Sequence, residues 1–242
     1  VPRWAGALGE VIGTQLPDEE LAFIALHPER QGFSRLEFIG DAVLGVAVTT
    51  VVVRAGLRRE LVPRHVSNRA LDEVYRERLR RLVPGNSGDV VEAVVGAAHL
   101  TLGFDDAAAV AVNLAFPARP WSSIAPRPVP TIPTVAPRER RSMAFLGATL
   151  FGAGVADHLV RDQPSAPHRV LSDERQRLLA PNRVVHRSAV IARLPAVTGL
   201  RQRRAYDLVQ GAAAAVFLAG GWPATTELIA ELLELADAET EL

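Results

Sequence analysis

The chain has 242 residues, 27 basic and 27 acidic side chains, and a hydrophobic share of 48%. That length and apolar content suffice for two domains with packed cores. The absence of cysteine excludes a disulfide framework and a thiolate metal site, and a net charge of zero excludes a globally basic nucleic-acid binder, so any phosphate contact must come from local clusters.

Hydrophobic periodicity predicts helices throughout, over roughly 4–13, 18–26, 34–55, 67–82, 88–103 and 105–115, then 139–160, 171–179, 182–192, 202–219 and 224–237. Thr225 or Thr226 is the expected N-cap of the last one. The β-branched run Val46–Val53 has strand propensity, but its continuity with the apolar segment before it favours helix. No run of about 18 apolar residues is expected to span a bilayer. There is no basic-then-apolar leader pattern at the N-terminus. Together with the missing cysteine, this predicts a cytoplasmic protein without a membrane partner.

Residues 117–137 interrupt the helical pattern. Seven prolines fall there: Pro117, Pro120, Pro126, Pro128, Pro130, Pro133 and Pro137. Proline removes backbone donors and disfavours helix, so this stretch is read as an extended linker. It separates a first domain, 1–116, from a second, 138–242. The two halves are related. Phe38, Gly40 and Gly45 match Phe145, Gly147 and Gly152, while Leu36 and Ile39 match Met143 and Leu146. Ser67-Asn68-Arg69 matches Pro181-Asn182-Arg183, and Asp89-Val-Val-Glu92 matches Asp207-Leu-Val-Gln210. Three matches in one order mark an internal repeat. The second copy has no equivalent of residues 4–26 and is expected to be truncated at its start.

The chemistry concentrates in two segments. Glu37 and Asp41 stand four apart in an otherwise apolar helix, so they share one face. Asp89 and Glu92, three apart, open a second apolar run. Carboxylates on apolar helices are costly to desolvate unless a cation or donor meets them. Two such helices can form a four-carboxylate cage for a divalent cation. The bland alternative is that the acids are merely favourable charges near helix N-termini. The repeat argues against it, because Ala144 and Ala148 stand where Glu37 and Asp41 do, within the same apolar frame.

The segment Arg35-Leu-Glu-Phe-Ile-Gly-Asp-Ala-Val-Leu-Gly45 resembles the signature of the ribonuclease III family. The segment from Gly88 to Leu100 resembles that family's second acidic motif, and it lies in the expected order. The resemblance implies an all-α fold of two ribonuclease III-like domains packed as an intramolecular pseudodimer, with a homodimer of whole chains as the other arrangement. It implies magnesium- or manganese-dependent endonucleolytic hydrolysis of double-stranded RNA to 5′-phosphate and 3′-hydroxyl ends. Glu37, Asp41, Asp89 and Glu92 would be the metal ligands and catalytic residues, Asp41 and Glu92 the most critical. The second half keeps Asp207 but has Gln210 in place of Glu92, and is expected to be catalytically dead. The first half also departs from the family, with Ser34 where many members carry an acid. The role of Glu60 stays open. The alternative is a non-catalytic RNA- or ribosome-binding pseudoenzyme, or a regulatory partner of another nuclease.

Arginine suits phosphate through its planar fork. The clusters are Arg76, Arg78, Arg80 and Arg81; Arg138, Arg140 and Arg141; and Arg201, Arg203 and Arg204. The last two are the candidate RNA contacts, and the first has Glu73 and Glu77 beside it, as on a solvated helix face. His27, His65, His99, His158, His168 and His186 show no ligand spacing, and His99 is expected in the core. The sequence ends soon after the second repeat, without the double-stranded-RNA-binding domain of many family members. Affinity is therefore expected to come from the nuclease domains or from a partner.

Overall fold

The computed structural model describes residues 3–57, 59–83, 87–116, 137–180 and 202–238. Every regular element among them is helical, so the protein is all-α. The chain divides into two compact units, Val1–Ala125 and Pro126–Leu242.

In the first unit, α1 (Arg3–Ile12) and α2 (Glu19–Ala25) precede the long α3 (Phe33–Arg54). Asp18 caps α2, its Oδ1 accepting from the N–H groups of Glu20 and Leu21 at 3.0 and 2.9 Å. A 3₁₀ turn (Arg59–Leu61) leads to α4 (Pro63–Val66) and α5 (Asn68–Val74), then to α6 (Asp89–Leu102) and α7 (Phe104–Ala115). The helix expected over 67–82 loosens into a π-turn over Tyr75–Leu79. There the buried Tyr75 hydroxyl donates to the Val83 carbonyl at 2.6 Å.

The β-branched stretch is helical because α3 is enclosed nearly all round. Val43, Leu44, Val46, Ala47, Val48, Thr49, Thr50, Val51 and Val52 are all buried. Full burial of a Val or Leu side chain is worth about 1.5–3 kcal/mol. A handful of such residues outweighs a strand preference that spans about 1 kcal/mol.

The core is centred on the packing of α3 against α6, the most extensive helix pair of this unit. Their backbones touch. A Cβ on Gly40 would collide with the Glu92 carbonyl oxygen, and one on Gly96 with the Leu36 carbonyl oxygen. Glycine at these two places lets the helices cross at residues 36–40 and 92–96.

The second unit repeats this crossing. It contains α8 (Pro137–Asp162), α9 (His168–Leu178) and α10 (Gln202–Ala238), with α8 packed most extensively on α10. A Cβ on Gly147, the counterpart of Gly40, would collide with the carbonyl oxygen of Gln210, the counterpart of Glu92. The break between α6 and α7 recurs as well. Gly103 has φ 90° and ψ 179°, and α10 is interrupted at Gly221 with φ 71° and ψ −163°. Both glycines precede a buried aromatic residue, Phe104 and Trp222. The duplication read from sequence is thus a duplication of helix packing.

Three expectations need correction. Thr225 and Thr226 do not cap a helix. Their hydroxyls donate back to the carbonyls of Gly221 (2.9 Å) and Pro223 (2.9 Å), because the helix restarts at the Gly221 break with Pro223 in its first turn. The α8 helix begins at Pro137, earlier than expected, since proline is tolerated in a helix's first turn. Helices long and apolar enough to cross a membrane do exist: Phe33–Arg54, Arg141–Asp162 and Gln210–Leu233. In the first two, 72% of the apolar window is buried inside the units, against 33% in the third. Alanine- and valine-rich helices packed in a core reach this length and apolarity, as the first two do. The linker from 117 to 136 and the helix expected over 182–192 lie outside the described residues.

Candidate metal centre

The α3–α6 crossing brings the two acidic motifs together. Glu37 lies in the second turn of α3, Asp89 is the first residue of α6, and Glu92 follows one turn later. Ligand oxygens of Glu37, Asp89 and Glu92 all lie within 4.8 Å of one another, and all three residues are half-buried. They are the one such group of potential metal ligands among the described residues. Asp41, one turn beyond Glu37, stands outside this cluster and is exposed. Its charge nevertheless acts on both Glu37 and Glu92.

The electrostatics are those of crowded, partly desolvated carboxylates. Burial, and then the charges of Asp41, Glu37 and Asp89, push the Glu92 carboxyl up to about 8. Burial, then Asp89 and Asp41, also raise Glu37. Two unit charges at this spacing repel by about 3 kcal/mol at an effective dielectric near 20. Ionising the whole set without a counter-ion is therefore unfavourable. The donors are all hard carboxylate oxygens, which fit magnesium or manganese and do not fit a soft metal.

Local structure holds the acids in place. The Gly40–Glu92 contact fixes the helices against each other. The N-terminus of α6 is held from outside: Asp72 Oδ1 accepts from the Gly88 N–H at 2.7 Å, and Ser87 Oγ accepts from the Asp89 N–H at 3.1 Å. Sequence reading did not single out Asp72. Its signal is faint, an acid in the middle of a short helix whose partner lies 16 residues on.

The second unit lacks the constellation. Ala144 and Gln210, counterparts of Glu37 and Glu92, are buried at 6% and 5% exposure, and Ala148 replaces Asp41. Asp207 lies on α10, its side chain outside the described set. Because α8 forms without these acids, they are not required to make such a helix.

Other candidates fall elsewhere. Glu60 sits on the 3₁₀ turn, highly exposed and 3.4 Å from Arg59, apart from the acid cluster. Arg78 is committed to structure, donating to the Asn113 carbonyl at 2.5 Å, while Arg76, Arg80 and Arg81 are exposed. Arg141 is exposed on α8. Arg138 and Arg140 lie on α8, and Arg203 and Arg204 on α10, with side chains outside the described set, and Arg201 lies outside the described residues. His99 is a core residue, 1% exposed and edge-on to Phe104 at 6.3 Å. No protein-family model matches the chain, and no curated protein matches it.

Proposed function

We propose that the first unit is a magnesium-dependent endoribonuclease of the ribonuclease III type, cutting double-stranded RNA. One observation carries the reading: acids from two motifs about 50 residues apart in sequence meet at Glu37, Asp89 and Glu92. Asp41 borders them on the exposed side of α3. The order and spacing of the motifs supply the resemblance, and the shared desolvation of the carboxylates supplies a reason for a cation.

Glu37, Asp89 and Glu92 would hold the metal, with Asp41 as a ligand at the solvent-facing rim where a phosphodiester can approach. When bound, the metal supplies Lewis-acid activation of water and stabilises charge on the leaving oxygen. The buried face of the cluster keeps the carboxylates clustered and limits access to one side. In the hydrolysis, water oxygen bonds to phosphorus and the P–O3′ bond breaks. The 5′-phosphate stays on one product and the 3′-oxygen leaves as a hydroxyl after taking a proton.

The second unit would be a degenerate partner, pairing with the first as an intramolecular pseudodimer in the cytoplasm. Its Ala144, Ala148 and Gln210 favour a non-catalytic role for that half alone. The deciding experiment is incubation of the full chain with a plain RNA duplex and magnesium. Cleavage giving 5′-phosphate ends, and lost on chelation, is expected. Binding without cleavage at any magnesium or manganese concentration would favour the binding-module alternative instead.

A further inference from the structure

The first turn of α6 presents a problem of placement. It carries Asp89, yet Gly88, the residue that starts the helix, has no side chain with which to cap it. The opening N–H groups of a helix have no partner within it. Here the Gly88 N–H is met from another helix, by Asp72 Oδ1 of α5 at 2.7 Å, and the Asp89 N–H by Ser87 Oγ at 3.1 Å. The fit between α5 and this turn is close. A Cβ on Gly88 would stand 2.6 Å from Leu71 Cβ and 3.2 Å from the Asp72 nitrogen. Glycine is what allows α5 to approach near enough for the bond.

The path to the core is short. Leu71 is 1% exposed, which anchors α5 at the residue before Asp72. Ser67 caps the start of that helix, its Oγ accepting from the Ala70 N–H at 3.4 Å. The body of α6 needs no such support. Val90, Val91 and residues 93–99 are buried, and Gly40 and Gly96 set its contact with α3. Its first turn differs, since Asp89 is half-exposed and stands at the helix start.

We propose that Asp72 is a positioning residue of the metal centre: by capping α6 from α5 it holds Asp89 beside Glu37 and Glu92, and so sets the affinity of the site for a divalent cation. This rests on the metal-centre reading above. A carboxylate accepting from a backbone N–H is a strong, directional contact, and it lies near the positive end of the helix dipole. Asp72 itself stands outside the Glu37, Asp89 and Glu92 cluster.

The test uses the full chain and Mn²⁺ alone as probe, with binding followed by electron paramagnetic resonance and folding by circular dichroism. Removing such an outer partner of a ligand weakens metal binding by about 10-fold, and that loss is expected for Asp72→Ala. Asp72→Asn keeps an oxygen that accepts from Gly88 and should stay within about twofold of wild type. Glu73→Ala removes an exposed acid from the same helix while leaving the bond to Gly88 in place, and should leave Mn²⁺ affinity unchanged. Unaltered affinity in Asp72→Ala, whatever its thermal stability, would overturn the proposal. So would a loss in Asp72→Asn equal to that in Asp72→Ala, since the bond would not then be what matters. Glu92→Ala separates the two levels. If it binds Mn²⁺ like wild type, the metal centre itself is misassigned. If it loses Mn²⁺ while Asp72→Ala keeps it, only the positioning role fails.

Discussion

Glu92 is the residue on which the site's chemistry turns. It is the most perturbed of the acids, held at about 8 by burial and three neighbouring carboxylates. In the unfolded chain it would titrate near 4.5. Its folded value is raised, so its favourable contribution is complete below pH about 4.5 and is lost as the pH climbs through about 8. Urea titrations of the metal-free protein should therefore show stability falling across that window. Glu92→Gln should flatten the fall and be more stable than wild type at pH 9. An unchanged pH profile in that variant would count against the shift. Metal requires the ionised carboxylate, so binding at pH 7 should expel a proton, up to roughly one per site. Calorimetry in two buffers of different ionisation enthalpy reads this directly. For activity, Asp41→Ala or Glu92→Ala should abolish magnesium-dependent cleavage with helicity intact. Asp207→Ala should leave the chemical step unchanged, and a large loss there would mean the second unit carries chemistry after all.

The crossing of α3 and α6 is the element that turns three of the four separated acids into a cluster. It depends on Gly40, whose missing Cβ is what admits the Glu92 carbonyl. Gly40→Ala should therefore force the helices apart and cost about 1–3 kcal/mol, as overpacking does, and should weaken metal binding along with stability. Gly147→Ala should cost a similar amount in the second unit, against Gln210, with no effect on the metal. Gly45 makes the contrast, because a Cβ there meets nothing within 4 Å. Gly45→Ala relieves the entropy of a mid-helix glycine and should be neutral or stabilising by up to about 1 kcal/mol. Urea midpoints of the three variants test this, and equal losses at Gly40 and Gly45 would contradict the packing account. The sequence repeat alone shows Gly40/Gly147 and Gly45/Gly152 as equivalent pairs, and only packing distinguishes them.

For the molecule as a whole, the duplication carries the functional consequence. Two units share one helix crossing and one glycine break, but the acids are present in one and replaced by Ala144, Ala148 and Gln210 in the other. In the proposed pseudodimer only one strand of a bound duplex meets a complete site, so one chain should nick one strand per binding event. A duplex labelled separately on each strand, cut under single-turnover conditions with mass followed by light scattering, checks this. Concerted cutting of both strands by a monomer would refute the single-site account. Concerted cutting by a dimer would instead place the first units of two chains together.

Helical class, duplication and the candidate acids were legible from the sequence, because apolar periodicity and residue chemistry are local properties. The run from Val46 to Val53 was already ambiguous at that level, and its helical state follows from burial on all sides. Tertiary structure also decided which acids converge. Spacing offered Glu37, Asp41, Asp89 and Glu92 as one cage, whereas the fold gathers three and leaves Asp41 at the exposed edge. It engaged Arg78 with the Asn113 carbonyl, a contact between helices that a charge pattern does not record. It brought in Asp72, whose partner is a backbone N–H that no side-chain pattern records. The common reason is that desolvation, charge–charge repulsion and backbone approach depend on neighbours distant in the chain, and these exist only once α3, α5 and α6 have packed.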